Sequence, residues 1–319
     1  MVLPAPLITT QQLVKRYGAQ NALAGIDLAV APGVMHGFLG PNGAGKTTTL
    51  HILLGFIRPT SGSASINGKD CWRAGVAARS DVGYLVPSES LYPNMTGGAM
   101  LNYLAHLGSR PPAHRRQMLD ALGLSSSDLG RKMATYSKGM KQKLALTAAM
   151  QCAPPILILD EPTDGLDPLV QRAFEAQLAE LNEQGTTVLM SSHDLVEVER
   201  TCKEVTIIRG GHIVARESIE QLRSLQHRQA DILLAELPPT NLELIPHVRL
   251  VTRDGRRLVL HIDGPLAPFL AWLPTVGAVI DLSISRPTLE EIFLTYYDRD
   301  SDPTPTSDVI ASIQAPARL

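Results

Sequence analysis

Residues 40–47 read Gly-Pro-Asn-Gly-Ala-Gly-Lys-Thr, which satisfies the pattern Gly-x4-Gly-Lys-Ser/Thr in full. Glycines at Gly40, Gly43 and Gly45 let backbone N–H groups turn toward an anion, with Pro41, Asn42 and Ala44 completing the loop. Lys46 reaches the outer phosphates of a nucleotide, and the Thr47 hydroxyl, followed by Thr48, suits a magnesium ion. The apolar run before the loop reads as a strand. The stretch from Lys46 to Ile57 reads as a helix whose positive end faces the loop. A strand, a phosphate loop and a helix in that order predict an α/β nucleotide-binding fold.

A phosphate loop does not choose among kinases, GTPases and ATPases. The second signal is Ile156-Leu157-Ile158-Leu159-Asp160-Glu161, a run without polar side chains that ends in two acids. Such a strand is buried on both faces. Asp160 at its end falls near the metal that Thr47 holds, and Glu161 projects from the end as a general base. No Asn-Lys-x-Asp guanine-reading motif occurs in the chain, so GTP is disfavoured.

Around these motifs the chain divides into regions. Leu7–Lys15 and Ala22–Val30 read as paired strands joined by a turn. Residues 97–153 read as mostly helical, with Leu101, Leu104 and Leu107 on one face. From Ile156 strands and helices alternate: a helix opened by Pro168 with Val170, Phe174, Leu178 and Leu181 inward, a strand at Thr186–Ser191, and a helix at Asp194–Cys202. A hairpin follows around Gly210-Gly211. This alternation predicts a largely parallel sheet covered on both faces. Near residue 228 the pattern changes to short strands around Asp254-Gly255, a helix at Ala267–Leu273 and a strand at Ala278–Ile284. A final helix is opened by a Thr288/Glu291 capping box. The expected domains are residues 1–228, with a helical subdomain at about 97–153, a small α+β domain at 229–298, and a disordered tail at 299–319.

Composition limits the classes further. The 319 residues are 44% hydrophobic, and 29 Lys+Arg nearly balance 31 Asp+Glu for a net charge of −2. A dedicated nucleic-acid binder would carry a basic excess, so no nucleic-acid partner is expected. Cys71, Cys152 and Cys202 are widely spaced, which fits a reducing compartment better than a disulfide framework. Met1–Val14 lacks the pattern of a secretory signal. The two least polar stretches, Leu28–Gly45 and Gly264–Ile280, are broken by glycine and proline, so no membrane span is expected.

With these residues in order, the chain resembles the ATP-binding subunits of ABC transporters over roughly residues 7–225. Gly40–Thr48 is similar to the Walker A loop of that family, and Tyr136-Ser137-Lys138-Gly139-Met140 to its signature. Asp160 and Glu161 resemble Walker B and the catalytic glutamate. Gly165-Leu166-Asp167 looks like the D-loop, His193 in Ser191-Ser192-His193 like the switch histidine, and Tyr17 like the aromatic that stacks on adenine. The resemblance implies a P-loop ATPase with an antiparallel β subdomain and a helical signature subdomain. It also implies MgATP hydrolysis by a dimer in which Ser137, Lys138 and Gly139 of one subunit meet the γ-phosphate held by the other. A helix opening on Ser137 and Gly139, with Met140, Leu144 and Ala148 inward, is a sound anion site by itself.

Three details resemble the drug-export subgroup: the variant Ser137-Lys138-Gly139-Met140-Lys141-Gln142-Lys143, the stretch Gly83–Thr96, and Arg286–Phe293 near the end. They imply an exporter with a separately encoded permease, a second nucleotide-binding subunit (a homodimer by preference) and a place on the cytoplasmic face of the membrane. The alternative is a non-transport ATPase of the same family acting on nucleic acid or the ribosome, or a regulatory ATP-binding module. The interval between Lys46 and Ser137 has no room for the long coiled coil of the repair types. One departure stands out. Pro87 occupies the place of the family's Q-loop glutamine, which leaves Ser88, Glu89 or water to take over its role.

Overall fold

The computed structural model describes residues 5–108, 110–224, 228–239, 242 and 244–285. The chain opens with strands β1 (Ile8–Tyr17), β2 (Gln20–Val30) and β3 (Met35–Leu39), then helix α1 (Lys46–Leu53). Next come β4 (Ser61–Ile66), β5 (Lys69–Asp70), α2 (Gly75–Arg79) and β6 (Val82–Tyr84). A helical region follows, with α3 (Gly97–Leu107), α4 (Arg115–Leu122), α5 (Ser126–Leu129) and α6 (Lys138–Met150). Strands then alternate with helices: β7 (Ile156–Asp160), α7 (Pro168–Glu183), β8 (Thr187–Ser192), α8 (Leu195–Thr201), β9 (Glu204–Arg209), β10 (His212–Ser218) and α9 (Ile219–Ser224). The last described elements are β11 (Arg228–Leu234), β12 (Val248–Asp254), β13 (Arg257–Ile262), α10 (Leu266–Val276) and β14 (Val279–Ser285).

Chain contacts separate a first unit that runs to Ile219 from a second that begins at Glu220. In the first unit, β2, β1, β4 and β5 form an antiparallel sheet. A six-stranded sheet has the order β10-β9-β3-β8-β7-β6, parallel except for β10. Its central strands β3 and β8 are buried at every residue, as a parallel sheet with both faces covered requires. Ile8, Leu13, Leu23 and Leu28 of the antiparallel sheet share one core with Phe38, Leu50, Ile158 and Leu189. In the second unit the antiparallel sheet β12-β13-β11-β14 has Ala230, Ile232, Leu258 and Leu260 in a core with Phe269 and Leu273 of α10.

The expected architecture is borne out in the sheet classes and the helical region, and several local details differ. The first helix stops at Leu53 rather than Ile57. Gly55 takes a left-handed φ of +65° there, and an added Cβ would lie 2.4 Å from the Cys71 carbonyl, so the chain turns away. On α3 the buried positions are Gly97, Met100, Leu101 and Ala105, while Leu107 is 69% exposed. The packing face is therefore rotated from the Leu101, Leu104, Leu107 row. On α6, Leu144–Thr147 are all buried, whereas Met140 and Ala148 are only part-buried, so the covered face is not the Met140, Leu144, Ala148 row. Strand β4 carries little β-propensity in Ser-Gly-Ser-Ala-Ser, and its pairing with β1 makes it a strand. The Thr288/Glu291 capping box, the Arg286–Phe293 ending and the tail lie outside the described residues.

Candidate functional site

Strand β3 delivers the chain into the phosphate loop at a point fixed by neighbours. The Gly40 N–H donates to the Ser192 carbonyl at 3.3 Å. A Cβ on Gly40 would sit 2.3 Å from the Ile208 carbonyl oxygen; one on Gly45, at φ +112°, would be 2.8 Å from that of Ala22. Only glycine fits at either place. Helix α1 has no side-chain cap and no acid in its first turn, so its leading N–H groups are available to an anion. The Thr49 hydroxyl donates to the Gly45 carbonyl at 2.9 Å and steadies that turn. Pro41, Asn42, Gly43 and Thr47 are exposed on the rim, Thr48 is half-buried, and Ala44 and Lys46 are buried.

Strand pairing brings the acids to the same edge. Leu39 is opposite Ser192 and Asp160 is opposite Ser191, so the ends of β3, β8 and β7 align. This is the carboxyl edge of a parallel sheet, where such folds bind ligands. The Lys46 ammonium donates to the carbonyls of Gly40 at 2.5 Å and Pro41 at 3.4 Å, and lies 3.2 Å from Glu161 Oε1. The other oxygen, Oε2, is 2.7 Å from His193 Nδ1. Glu161 therefore bridges the loop lysine and the histidine. Its backbone has φ +46°, a left-handed conformation uncommon for a residue with a side chain.

His193 is placed by the start of α8. Asp194 caps that helix, accepting from Val196 N at 2.8 Å and Glu197 N at 3.4 Å. Ser192 donates to Glu197 Oε2 at 2.6 Å and accepts the Asp194 N–H at 2.9 Å. Glu197 is buried, and burial pushes its carboxyl above the usual range, opposed by the Ser192 hydrogen bond.

The signature residues are held differently. Ser137 caps α6, its hydroxyl accepting the Met140 N–H at 3.2 Å. Ser137 and Lys138 are exposed and Gly139 is half-buried. Lys138 pairs with Asp164 at 3.1 Å, and buried Gln142 donates to the Pro162 carbonyl at 2.9 Å. The start of α6 is thereby tied to the loop that follows Glu161. Asp167 caps α7, accepting from Leu169 N at 3.1 Å and Val170 N at 3.0 Å.

The structure thus brings together Lys46, Asp160, Glu161 and His193 at one edge. Among the described residues no hydrogen bond or ion pair joins Ser137, Lys138 or Gly139 to that cluster. Tyr17 is 51% exposed, with the Lys15 ammonium 4.9 Å from its ring centre. Pro87 precedes a short 3₁₀ turn; the buried Ser88 hydroxyl donates to Glu89 Oε1 at 3.2 Å. Sequence reading missed Ser191, Gln142 and Glu197. The available signal was a pair of serines ending a buried apolar strand, where a hydroxyl needs a partner.

Comparison with known proteins adds to this geometry. The profile of the family described as ABC transporter matches residues 23–164. The chain is 33% identical over 303 residues to a daunorubicin resistance ATP-binding protein of Streptomyces coeruleorubidus, covering 90% of this chain and 94% of that one. It is 33% identical over 260 residues to a bacitracin transport ATP-binding protein of Enterococcus faecalis, covering 80% and 84%. A solved structure of an ATP binding subunit of an ABC transporter superposes with a TM-score of 0.63 at 32% identity, covering 68% of this chain and 92% of that one.

Proposed function

This chain belongs to the ATP-binding proteins of ABC transporters, and on that premise we propose that it hydrolyses ATP to drive export through a separate permease. The observation that carries the reading is the placement of Glu161 between Lys46 and His193 at the sheet edge beside Asp160. A γ-phosphate seated on the first turn of α1 competes for Lys46 and frees Glu161 Oε1. Glu161 then accepts a proton from the attacking water as that oxygen bonds to phosphorus and the bond to the bridging oxygen breaks, giving ADP and phosphate. His193 holds the second carboxylate oxygen and faces the phosphate. Asp160 and the exposed Thr47 hydroxyl are hard oxygen donors that suit magnesium, which neutralises phosphate charge when bound. Tyr17 offers an exposed ring for adenine.

The exposure of Ser137 and Lys138, next to half-buried Gly139, supports a second nucleotide-binding subunit, a second copy of this chain, whose ATP they meet. Asp167, at the start of α7, belongs to the same interface. No described helix is long and apolar enough to cross a membrane, which supports a peripheral place on the cytoplasmic face beside the permease. Relatives named for daunorubicin resistance and for bacitracin transport support export as the direction. Division into a nucleotide-binding domain at 1–228 and a small C-terminal domain at 229–298 belongs to the same proposal. Glu161→Gln in the purified full-length chain tests it. The variant should keep its ATP affinity, lose about 10²- to 10⁴-fold in turnover, and sediment as a dimer with ATP. Turnover equal to the parent's would overturn the role of Glu161.

A further inference from the structure

The side chain of Ser191, at the end of β8, has no exposed surface and touches both acids. Its hydroxyl donates to Asp160 Oδ1 and accepts the Glu161 N–H at 3.1 Å. The same N–H also lies 3.3 Å from the Ser191 carbonyl oxygen. A hydroxyl has one proton and two lone pairs. Giving the proton to Asp160 fixes its rotor and directs a lone pair at Glu161.

Two consequences follow for groups that carry the chemistry. Asp160 Oδ1 accepts from Ser191, which fixes the orientation of the carboxylate and makes Oδ2 the less engaged oxygen toward a cation. Glu161 sits at φ +46°, a conformation that a residue with a Cβ rarely adopts and that persists only where its surroundings enforce it. Ser191 enforces it, through its hydroxyl and its carbonyl. From that turn the Glu161 carboxylate reaches Lys46 and His193.

We propose that Ser191 is a positioning residue for hydrolysis, one that aims Oδ2 of Asp160 and locks the backbone of Glu161. The inference rests on the roles given above to Asp160 and Glu161. A purely structural serine would satisfy the strand end and nothing more, and its loss would lower stability and nucleotide binding together. A positioning serine separates these readouts.

The test uses the purified full-length chain as parent, S191A and S191T. Turnover is measured alongside thermal melting and the equilibrium affinity for a fluorescent ATP analogue, in EDTA and in magnesium. S191A should lose about 10- to 100-fold in kcat, the range seen when a partner of a metal ligand is removed. Its affinity in EDTA should match the parent's, while the gain in affinity on adding magnesium shrinks. S191T keeps the hydroxyl and should recover most of the rate. Parent-like turnover in S191A overturns the proposal, as does a fall in EDTA affinity equal to the fall in rate. So does an S191T that melts like the parent yet is as slow as S191A. Should S191A fail to fold, S191C decides: a parent-like rate overturns the proposal, and a slow rate with parent EDTA affinity supports it. A parent chain without ATPase activity would instead defeat the proposed function.

Discussion

At the carboxyl ends of β3, β7 and β8, the charged groups are already paired within the chain. Lys46 has two carbonyls and Glu161, Asp160 has Ser191, and His193 has Glu161. At the start of α6, Ser137 and Lys138 stand in solvent, joined to the rest by an exposed ion pair and a helix cap. The first region is a closed network in which every partner is covalently part of the same chain. The second is proposed to meet an anion from outside the chain, and the anion its own chain places there is the exposed Asp164 carboxylate held by Lys138. Losing a side chain from the closed network strands a desolvated partner, so binding and chemistry suffer there directly. Losing one from the open region should leave fold and single-chain binding intact and remove only the proposed contact with a partner's nucleotide.

The largest expected effect probes the closed network. Lys46→Ala should lower kcat/KM by about 10²- to 10³-fold, the scale for deleting one preorganised donor from a reacting oxyanion, and should weaken ATP binding by the isolated chain. Direct titration with a fluorescent analogue checks the second part. Unchanged binding would mean that the lysine is not the phosphate ligand.

Gly139→Asp probes the open region. An added Cβ meets only the Gly165 carbonyl oxygen at 3.5 Å, an ordinary contact, and an acid in the first turn suits the helix dipole. Melting temperature and ATP affinity of the separate chain should therefore hold, while turnover falls about 10²-fold because a carboxylate now repels the opposing phosphate. Loss of single-chain binding would show that the signature acts within its own subunit and erase the contrast.

A smaller effect tests stability beneath the closed network. His36 on β3 is fully buried, bonded to the Thr206 hydroxyl at 2.8 Å, with Glu204 at 3.3 Å and Arg216 beyond it. Burial holds its imidazole below the usual range, with Glu204 opposing. The unfolded chain takes up that proton near pH 6.5 and the folded chain resists it, so stability should fall as pH drops below about 6.5. The fall of Tm with falling pH should flatten in His36→Gln. An unchanged slope would assign the acid sensitivity elsewhere.

The smallest effect concerns the tie between the regions. Lys138 and Asp164 are both largely exposed, so solvent screens the pair and Asp164→Ala should cost about 0.2–1 kcal/mol at most by denaturant titration. A larger loss would mean that the start of α6 depends on this contact more than on Gln142 and the Pro162 carbonyl.

Much of the site was legible because its motifs are local. The phosphate loop needs its glycines, Lys46 and Thr47 within a single turn of chain. The acids must end an apolar strand, and Gly210-Gly211, both at positive φ, turn the hairpin between β9 and β10. Strand β4 was not legible, since a Ser-Gly-Ser-Ala-Ser stretch carries no local preference and is a strand by pairing alone. Nor was the turned face of α3, because periodicity gives a stripe and only the neighbouring helices decide which side of it is covered.

By itself, the sequence determined the loop that cradles phosphate, the order of the motifs and the strand–helix alternation, since backbone sterics and burial patterns act over a few neighbouring residues. Only the tertiary structure decided that β8 lies between β3 and β7. That order brings Ser191, thirty residues along the chain, onto Asp160 and Glu161, and sets His193 against the carboxylate that also holds Lys46. Parallel pairing joins segments far apart in sequence, and no local preference encodes which strand becomes the neighbour of which.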